Sequence, residues 1–356
     1  MKYDLDSCKL IHHLDRLNEW KNGNRIPPIT MDIALTRACN YKCMYCYSQL
    51  QENQGKSLTW EVVKRFLDDA KEIGVKAVSL VSDGESTCHK DYVKTIQYGH
   101  GIGLDMALGT NGSLFDEDSL GKILPCLSYI RFNISSASRD NYIKYHGATR
   151  ENYERAVNNI ISAVRLKRNY NLPVTIGLQM VFLPEMVNDV IPLARLGKLM
   201  GVDYLVIKHC SDDENHSLGV DYTKYHDIIW ETLKQAELLS TDIYQVAVKW
   251  SKLLSCGKRS YSRCYGAQFI MQLSGSGLVA PCGMLFNDKY SKYHIGNISN
   301  TSFKELFYGS RYKEVMDELA SDRFDAKTAC GSLCLQHKCN EFLNGIKNPP
   351  EHVNFI

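Results

Sequence analysis

The chain has 356 residues, 44% of them hydrophobic, enough for one large domain or two moderate ones around a sizeable core. Lysine and arginine (42) nearly balance aspartate and glutamate (40), and a net charge of +2 excludes the concentrated basic surface that a nucleic-acid binder needs. No apolar run is long enough to span a membrane, and the opening MKYDLDSCKLIHH lacks the apolar stretch of a secretory signal, so the expectation is a cytoplasmic protein working away from membranes and nucleic acid.

In chain order, LIHHLDRLNEW (10–20) has apolar residues at helical spacing and stops near Gly23, which predicts a helical lead-in over 1–29. TMDIALT (30–36) predicts a first strand, and three cysteines follow it at once. Thr59 suits an N-cap for a helix with Val62, Val63, Phe66, Leu67, Ala70 and Ile73 on its apolar face and Gly74 at its end. AVSLVSDGE (77–85), DMALGTNG (105–112) and YIRFNISS (129–136) read as strands running into small or polar turns. YERAVNNIISAV predicts a helix ahead of the strand PVTIGLQMVF (173–182). The next helix holds Pro192, which fits if Asn188 is the cap and the proline lies in the first turn. DYLVIKHC (203–210) is a sixth strand. Such alternation predicts parallel βα units over 30–215, with chemistry gathered at the C-terminal ends of the strands. Residues 216–255 read as a helical linker. From 256 the pattern changes: QFIMQL and LVAP flank SGSG (274–277), a hairpin signal, within a small α+β unit spanning 256–356.

Thirteen cysteines are many for a chain in a reducing compartment, where clustered cysteines read as metal or redox sites. Cys8, Cys88, Cys126, Cys210 and Cys256 stand alone and read as small buried hydrophobes. Cys39, Cys43 and Cys46 are spaced C-x3-C-x2-C. Structural zinc takes four ligands, whereas three close thiolates suit an iron–sulfur cluster with one iron left open. Cys264, Cys282, Cys330, Cys334 and Cys339 form a second group; four of them close a site completely, and either Cys334 or Cys339 is the fourth ligand. Structural zinc is the alternative there.

The C-x3-C-x2-C loop directly after a first strand, with Tyr45 before the last cysteine, resembles the radical S-adenosylmethionine (SAM) superfamily. The resemblance implies a partial (βα)6 TIM-like barrel followed by a small α+β auxiliary-cluster domain. It implies a four-iron four-sulfur cluster on Cys39, Cys43 and Cys46 that binds SAM through its amino and carboxylate groups. One electron, supplied by a flavodoxin- or ferredoxin-type donor, then yields a 5′-deoxyadenosyl radical that abstracts hydrogen from substrate. Tyr45 counts with the cofactor-contacting residues. Asp83-Gly84-Glu85-Ser86 resembles the superfamily's Gly-Gly-Glu-Pro stretch, without its first glycine and its proline, so Glu85 is expected to receive the methionine ammonium. Asn111 and Ser135 match positions that often touch the ribose, and Gln179 a further polar contact. Lys208 and His209, closing the sixth strand, are expected to face the mouth and grip a substrate phosphate or carboxylate, and Cys210 to give a hydrogen atom to a product radical. The second cysteine group resembles the twitch extension, a reduced SPASM domain, holding one auxiliary four-iron cluster that takes an electron from the oxidised substrate.

Only about 30 residues precede the barrel, too few for an independent peptide-binding domain. The expected substrate is therefore a small polar molecule (a sugar, aminocyclitol or nucleotide-linked sugar) that is oxidised, dehydrated or epimerised. The alternatives are a peptide-modifying (RiPP-type) maturase with a separate recognition protein, and a non-catalytic zinc- or iron-binding scaffold.

Overall fold

A computed structural model describes residues 3–53, 56–224, 226–332 and 334–355. The strands β1 (Thr30–Ile33), β2 (Ala77–Leu80), β3 (Asp105–Thr110), β4 (Leu127–Asn133), β5 (Thr175–Phe182), β6 (Tyr204–His209) and β7 (Gln245–Val248) follow one another across the sheet, each parallel to the next. Sequential parallel pairing with helices between is an open TIM-like barrel. The six expected strands are all present. The seventh, β7, lies in the stretch read as a helical linker, between the helices Asp227–Glu237 and Trp250–Ser255. Its four residues are all buried and too few to display a period, which is why the strand was not legible.

The helices form where caps and apolar stripes coincide. In Trp60–Ile73, Thr59 accepts a hydrogen bond from the Val62 amide, and Gly74 at φ +101° ends the last turn. Val63, Phe66, Leu67, Ala70 and Ile73 are buried, with Val62 packed partly against the same core. Burying each large side chain of that stripe contributes about 2 kcal/mol, so packing rather than intrinsic propensity holds the helix. The helix Val187–Met200 departs from expectation. The turn Pro184–Met186 runs straight into it, so Met186, not Asn188, is the N-cap and Pro192 lies inside the helix. Proline offers no N–H to the preceding turn, yet Val190, Leu193 and Ala194 are buried around it and hold the helix in place.

The expected hairpin forms from β8 (Ile270–Leu273) and β9 (Leu278–Ala280), and β10 (Gly296–Asn297) pairs with β9. Unforeseen from sequence, β8 also pairs in parallel with β1, so the C-terminal unit continues the barrel sheet as a ten-stranded whole ordered β10-β9-β8-β1-β2-β3-β4-β5-β6-β7. The lead-in joins this unit too. Leu17 and Trp20, from the helix Leu14–Lys21, share a core with Phe269 and Leu343, and the Trp20 ring meets Tyr265 and Phe269 edge-on at 5.4 and 5.8 Å. Among the described residues no helix is long and apolar enough to cross a membrane.

Candidate active site

The chain leaves β1 through Ala34–Thr36 and enters the cysteine loop. Asn40, between the first two cysteines, pins that loop to the end of β3: its Nδ2 donates to Ser113 Oγ at 2.9 Å and its Oδ1 accepts from Asn111 Nδ2 at 2.8 Å. Asn111 Oδ1 in turn accepts from the Ser113 amide and hydroxyl. Asn111 therefore spends its side chain on holding the loop rather than presenting it to the mouth.

An aromatic wall backs Cys43. His146 stacks on Tyr142 at 4.1 Å, and its Nδ1 lies 3.5 Å from Cys43 Sγ and 3.2 Å from the Tyr45 hydroxyl. The Ser135 amide donates to His146 Nε2 at 3.1 Å, so the ring's own proton sits on Nδ1, facing the sulfur and the phenol. Burial lowers the His146 pKa to about 3, so the ring is neutral. Ser135 is fully buried, and its hydroxyl donates to Tyr45 at 2.9 Å. Ser135, expected at the ribose, and Tyr45 thus bond to each other beside His146.

Glu85 is buried at the end of β2, and its carboxylate already accepts four hydrogen bonds: from the Thr87 amide and hydroxyl, the Thr110 hydroxyl and the Asn111 amide, at 2.6 to 3.1 Å. It fastens the loop after β2 to the end of β3. Its neighbour Asp83 turns the other way, accepting from Ser274 Oγ at 2.6 Å and the Gly275 amide at 2.9 Å, and pairing with Arg37 at 3.3 Å. Asp83 is thus the link to the β8–β9 hairpin. Gly84 between them has φ +72°, and a Cβ there would collide with the Thr36 carbonyl oxygen, so only glycine fits.

Alternation along the strands turns Arg131, Asn133, Gln179 and Lys208 inward, where with Gly84 and Glu85 they line a cavity of about 100 Å³ at the C-terminal end of the barrel. Gln179 Nε2 donates to Asn133 Oδ1 at 2.7 Å. Lys208 lines this cavity. His209 does not: the next residue on a strand points the opposite way, and the ring is buried and stacked 6.2 Å from Tyr222. Cys210 is 1% exposed, and its thiol points at the carbonyls of Tyr45 and Ser211 at 3.6 and 3.5 Å. Burial pushes that thiol up to about 12.

In the C-terminal unit, Asn340 Nδ2 donates to the sulfurs of both Cys264 and Cys334, at 3.6 and 3.7 Å. Burial first, then the charges of neighbouring thiols, pushes Cys264 and Cys330 up to about 12 and raises Cys282 as well. Arg259 reaches across to donate to the carbonyls of Ala326 and Gly331, bracketing Cys330. Cys339 stands aside, its sulfur 3.8 Å from that of Cys8. The two units meet at the site: Tyr47 Oη donates to the Met284 carbonyl at 3.1 Å, and Gln51 Nε2 to the Gly283 carbonyl at 2.6 Å.

Both thiol sets fit iron–sulfur clusters by the chemistry of their donors. Burial and nearby thiols push Cys39 up to about 12 and raise Cys43, and the ring beside Cys43 is neutral. Thiolates crowded in this way need a strongly positive partner, and coordination to a metal centre supplies one, deprotonating the thiol outright. Among the described residues, no three His, Cys, Asp or Glu side chains are placed to hold a single metal ion. Sequence reading missed Asn40, His146, Arg131, Arg259 and Asn340. Only Arg131 carried a legible sign, since Tyr129, Arg131 and Asn133 alternate along YIRFN with the period of a strand face.

Residues 33–196 match the radical SAM superfamily, and residues 264–340 match an iron–sulfur cluster-binding domain, SPASM. The chain is 24% identical to Fe-coproporphyrin III synthase of Methanosarcina barkeri over 97% of this chain and 88% of that protein. It is 24% identical to the AdoMet-dependent heme synthase of the same organism over 83% of this chain and 86% of that protein. In fold it is similar to Streptococcus suis SuiB bound to S-adenosylmethionine, with a TM-score of 0.67 and 15% identity over 96% of this chain and 79% of that one. The two matches fall in the order the fold shows: a radical SAM domain over residues 33–196, then an iron–sulfur cluster-binding SPASM domain over 264–340, the domains whose cofactors are S-adenosylmethionine and four-iron four-sulfur clusters, one of them auxiliary.

Proposed function

We propose that the protein is a radical SAM enzyme that oxidises, dehydrates or epimerises a small polar substrate, such as a sugar, aminocyclitol or nucleotide-linked sugar, at the C-terminal mouth of the barrel. The observation that carries this is the polar cavity bordered by Glu85, Arg131, Asn133, Gln179 and Lys208. Such a lining replaces the bulky aliphatic layers that ordinarily fill a TIM-barrel interior. The names of the two full-length relatives, an iron-coproporphyrin synthase and a heme synthase, also point to a small molecule rather than a peptide.

When bound, the first cluster and SAM supply one-electron cleavage and a hydrogen-abstracting radical. Cys39, Cys43 and Cys46 hold that cluster. Asn40, Asn111 and Ser113 fix the loop, and Glu85 fixes the strand ends it rests on. Tyr45 and Ser135 brace His146 so that its Nδ1–H faces Cys43. Gln179 and Asn133 present a joined polar pair to the substrate, with Lys208 on the neighbouring strand. Cys264, Cys282, Cys330 and Cys334 would hold the auxiliary cluster, whose contribution when bound would be a place for the substrate's electron. Cys334 is the better fourth ligand because Asn340 bonds it together with Cys264, whereas Cys339 faces Cys8. A flavodoxin or ferredoxin in the cytoplasm supplies the electron.

Anaerobic reconstitution tests the assignment: about eight irons per chain are expected for two four-iron clusters. Cys43→Ala is expected to abolish 5′-deoxyadenosine formation with dithionite and SAM, while Cys282→Ala retains part of it. Equal loss in both variants would count against the division of labour between the two sites.

A further inference from the structure

The barrel interior holds more positive charge than the proposed chemistry uses. Arg131, from the middle of β4, and Lys208, from the end of β6, border the same cavity. Gly109 is the ladder partner of Arg131, and a Cβ there would collide with Val81 Cγ1 at 2.8 Å while only touching Arg131 Nη2 at 3.8 Å. Arg131 Nε is buried without an acceptor, its guanidinium lying 5.9 Å from the Tyr129 ring centroid, and among the described residues the Lys208 ammonium makes no hydrogen bond or ion pair. Two further lysines, Lys249 and Lys252, lie close enough for their charges to act on Lys208, on the side toward Asp6 and the auxiliary cysteines. The carboxylates nearby already have partners of their own: Glu85 accepts from Thr87, Thr110 and Asn111, and Asp32, which burial pushes up to about 6, accepts from Gln272 at 3.4 Å. Both side chains are half-buried, and a partly desolvated cation is stabilised by an anionic group that completes its hydrogen bonds.

We propose that Arg131 and Lys208 form the recognition site for an anionic end group of the substrate, a carboxylate or a phosphate. The cavity's size supports an end group rather than a whole molecule: about 100 Å³ is the room of roughly three waters, enough for one such group with a solvent molecule. Arg131 offers the planar fork and Lys208 the point charge that such oxygens accept together. Burial and the adjacent Arg131 hold the Lys208 ammonium well below the ordinary lysine range, a penalty that a bound anion relieves. The substrate is then an acid or a phosphate ester, which retains nucleotide-linked sugars within the proposed class and removes neutral sugars and cationic aminocyclitols. The assignment rests on the radical SAM reading and narrows it.

The test uses the full, cluster-reconstituted chain with inorganic phosphate and, separately, acetate as probes, followed by ³¹P and ¹³C line broadening with and without saturating SAM. Saturable binding of at least one probe is expected, unchanged by SAM, and weakened at least about tenfold in Arg131→Gln and Lys208→Gln. Arg131→Lys and Lys208→Arg should keep most of it, which separates lost charge from lost folding. SAM affinity by equilibrium dialysis should stay within about twofold in all four variants. Acetate binding alone assigns a carboxylate, and phosphate binding alone a phosphate ester. Competition by SAM, or a tenfold loss of SAM affinity in the glutamine variants, would mean that the two cations hold the cofactor's carboxylate, and the proposal falls. Absence of saturable binding also overturns it. Formation of 5′-deoxyadenosine without substrate reports on the radical SAM reading separately, so failure of one is distinguishable from failure of the other.

Discussion

Lys208 and His209 are neighbours on β6 with opposite surroundings, the cavity for one and Tyr222 for the other. That placement gives His209 a measurable signature. Burial lowers its pKa to about 3, as it does for His146. The unfolded chain takes up a proton near pH 6.5 that the folded ring refuses, so stability is full above pH 6.5 and falls as pH drops toward the folded value. At pH 5.5 each such histidine removes about 1.4 kcal/mol relative to neutral pH. His209→Gln should therefore narrow the drop in thermal midpoint between pH 7.5 and 5.5, measured by circular dichroism; an unchanged drop would contradict the buried neutral ring. Asp83 offers a second test. Its side chain is 1% exposed and satisfies Ser274, Gly275 and Arg37 at once. Asp83→Ala strands those partners in the interior and should cost about 3 kcal/mol in urea unfolding, whereas Asp83→Asn, which keeps the shape and one acceptor, should cost less.

At the scale of elements, the cysteine loop and the Cys330 loop are irregular segments whose shape comes from side chains rather than from ladders. Asn40 does this for the first loop and Arg259 for the second. Arg259→Gln should release the 326–331 segment, lowering iron from about eight to about four per chain while substrate-independent SAM cleavage persists; loss of all iron would show that the two loops are not independent. The lead-in helix is held by Trp20, which is 4% exposed between Tyr265 and Phe269 with the Lys347 ammonium 4.7 Å over its ring. Trp20→Ala should cost about 3–5 kcal/mol and open residues near the N-terminus to limited proteolysis.

For the whole molecule, the decisive contact is β8 lying parallel against β1. It makes the C-terminal unit part of the barrel sheet, and the contacts from Tyr47 and Gln51 lock the first thiol loop to the hairpin that carries Cys282. A chain cut after residue 255 would leave β1 as an open edge and expose Trp20 and Ile29, whose partners Phe269 and Leu343 it removes. Such a fragment should aggregate or lose its cooperative melt, as read by light scattering and circular dichroism. A soluble fragment with a sharp transition would show that the barrel is an independent domain.

The sequence by itself determined the six barrel strands, the caps at Thr59 and Gly74, the hairpin around 274–277 and the two groups of thiols, because each is written in local spacing: period 2 for strands, period 3.6 for helices, and cysteines within a few positions. Only the tertiary structure decided which residues meet. That His209 turns away, that Ser135 bonds Tyr45, that Glu85 is engaged by strand-end donors, that Asp83 holds a hairpin nearly 200 residues distant, and that Asn340 joins Cys264 to Cys334 are all long-range hydrogen bonds or facing choices. Local spacing cannot encode them, since a hydrogen bond is satisfied by any nearby partner and the partner is chosen by how the sheet closes.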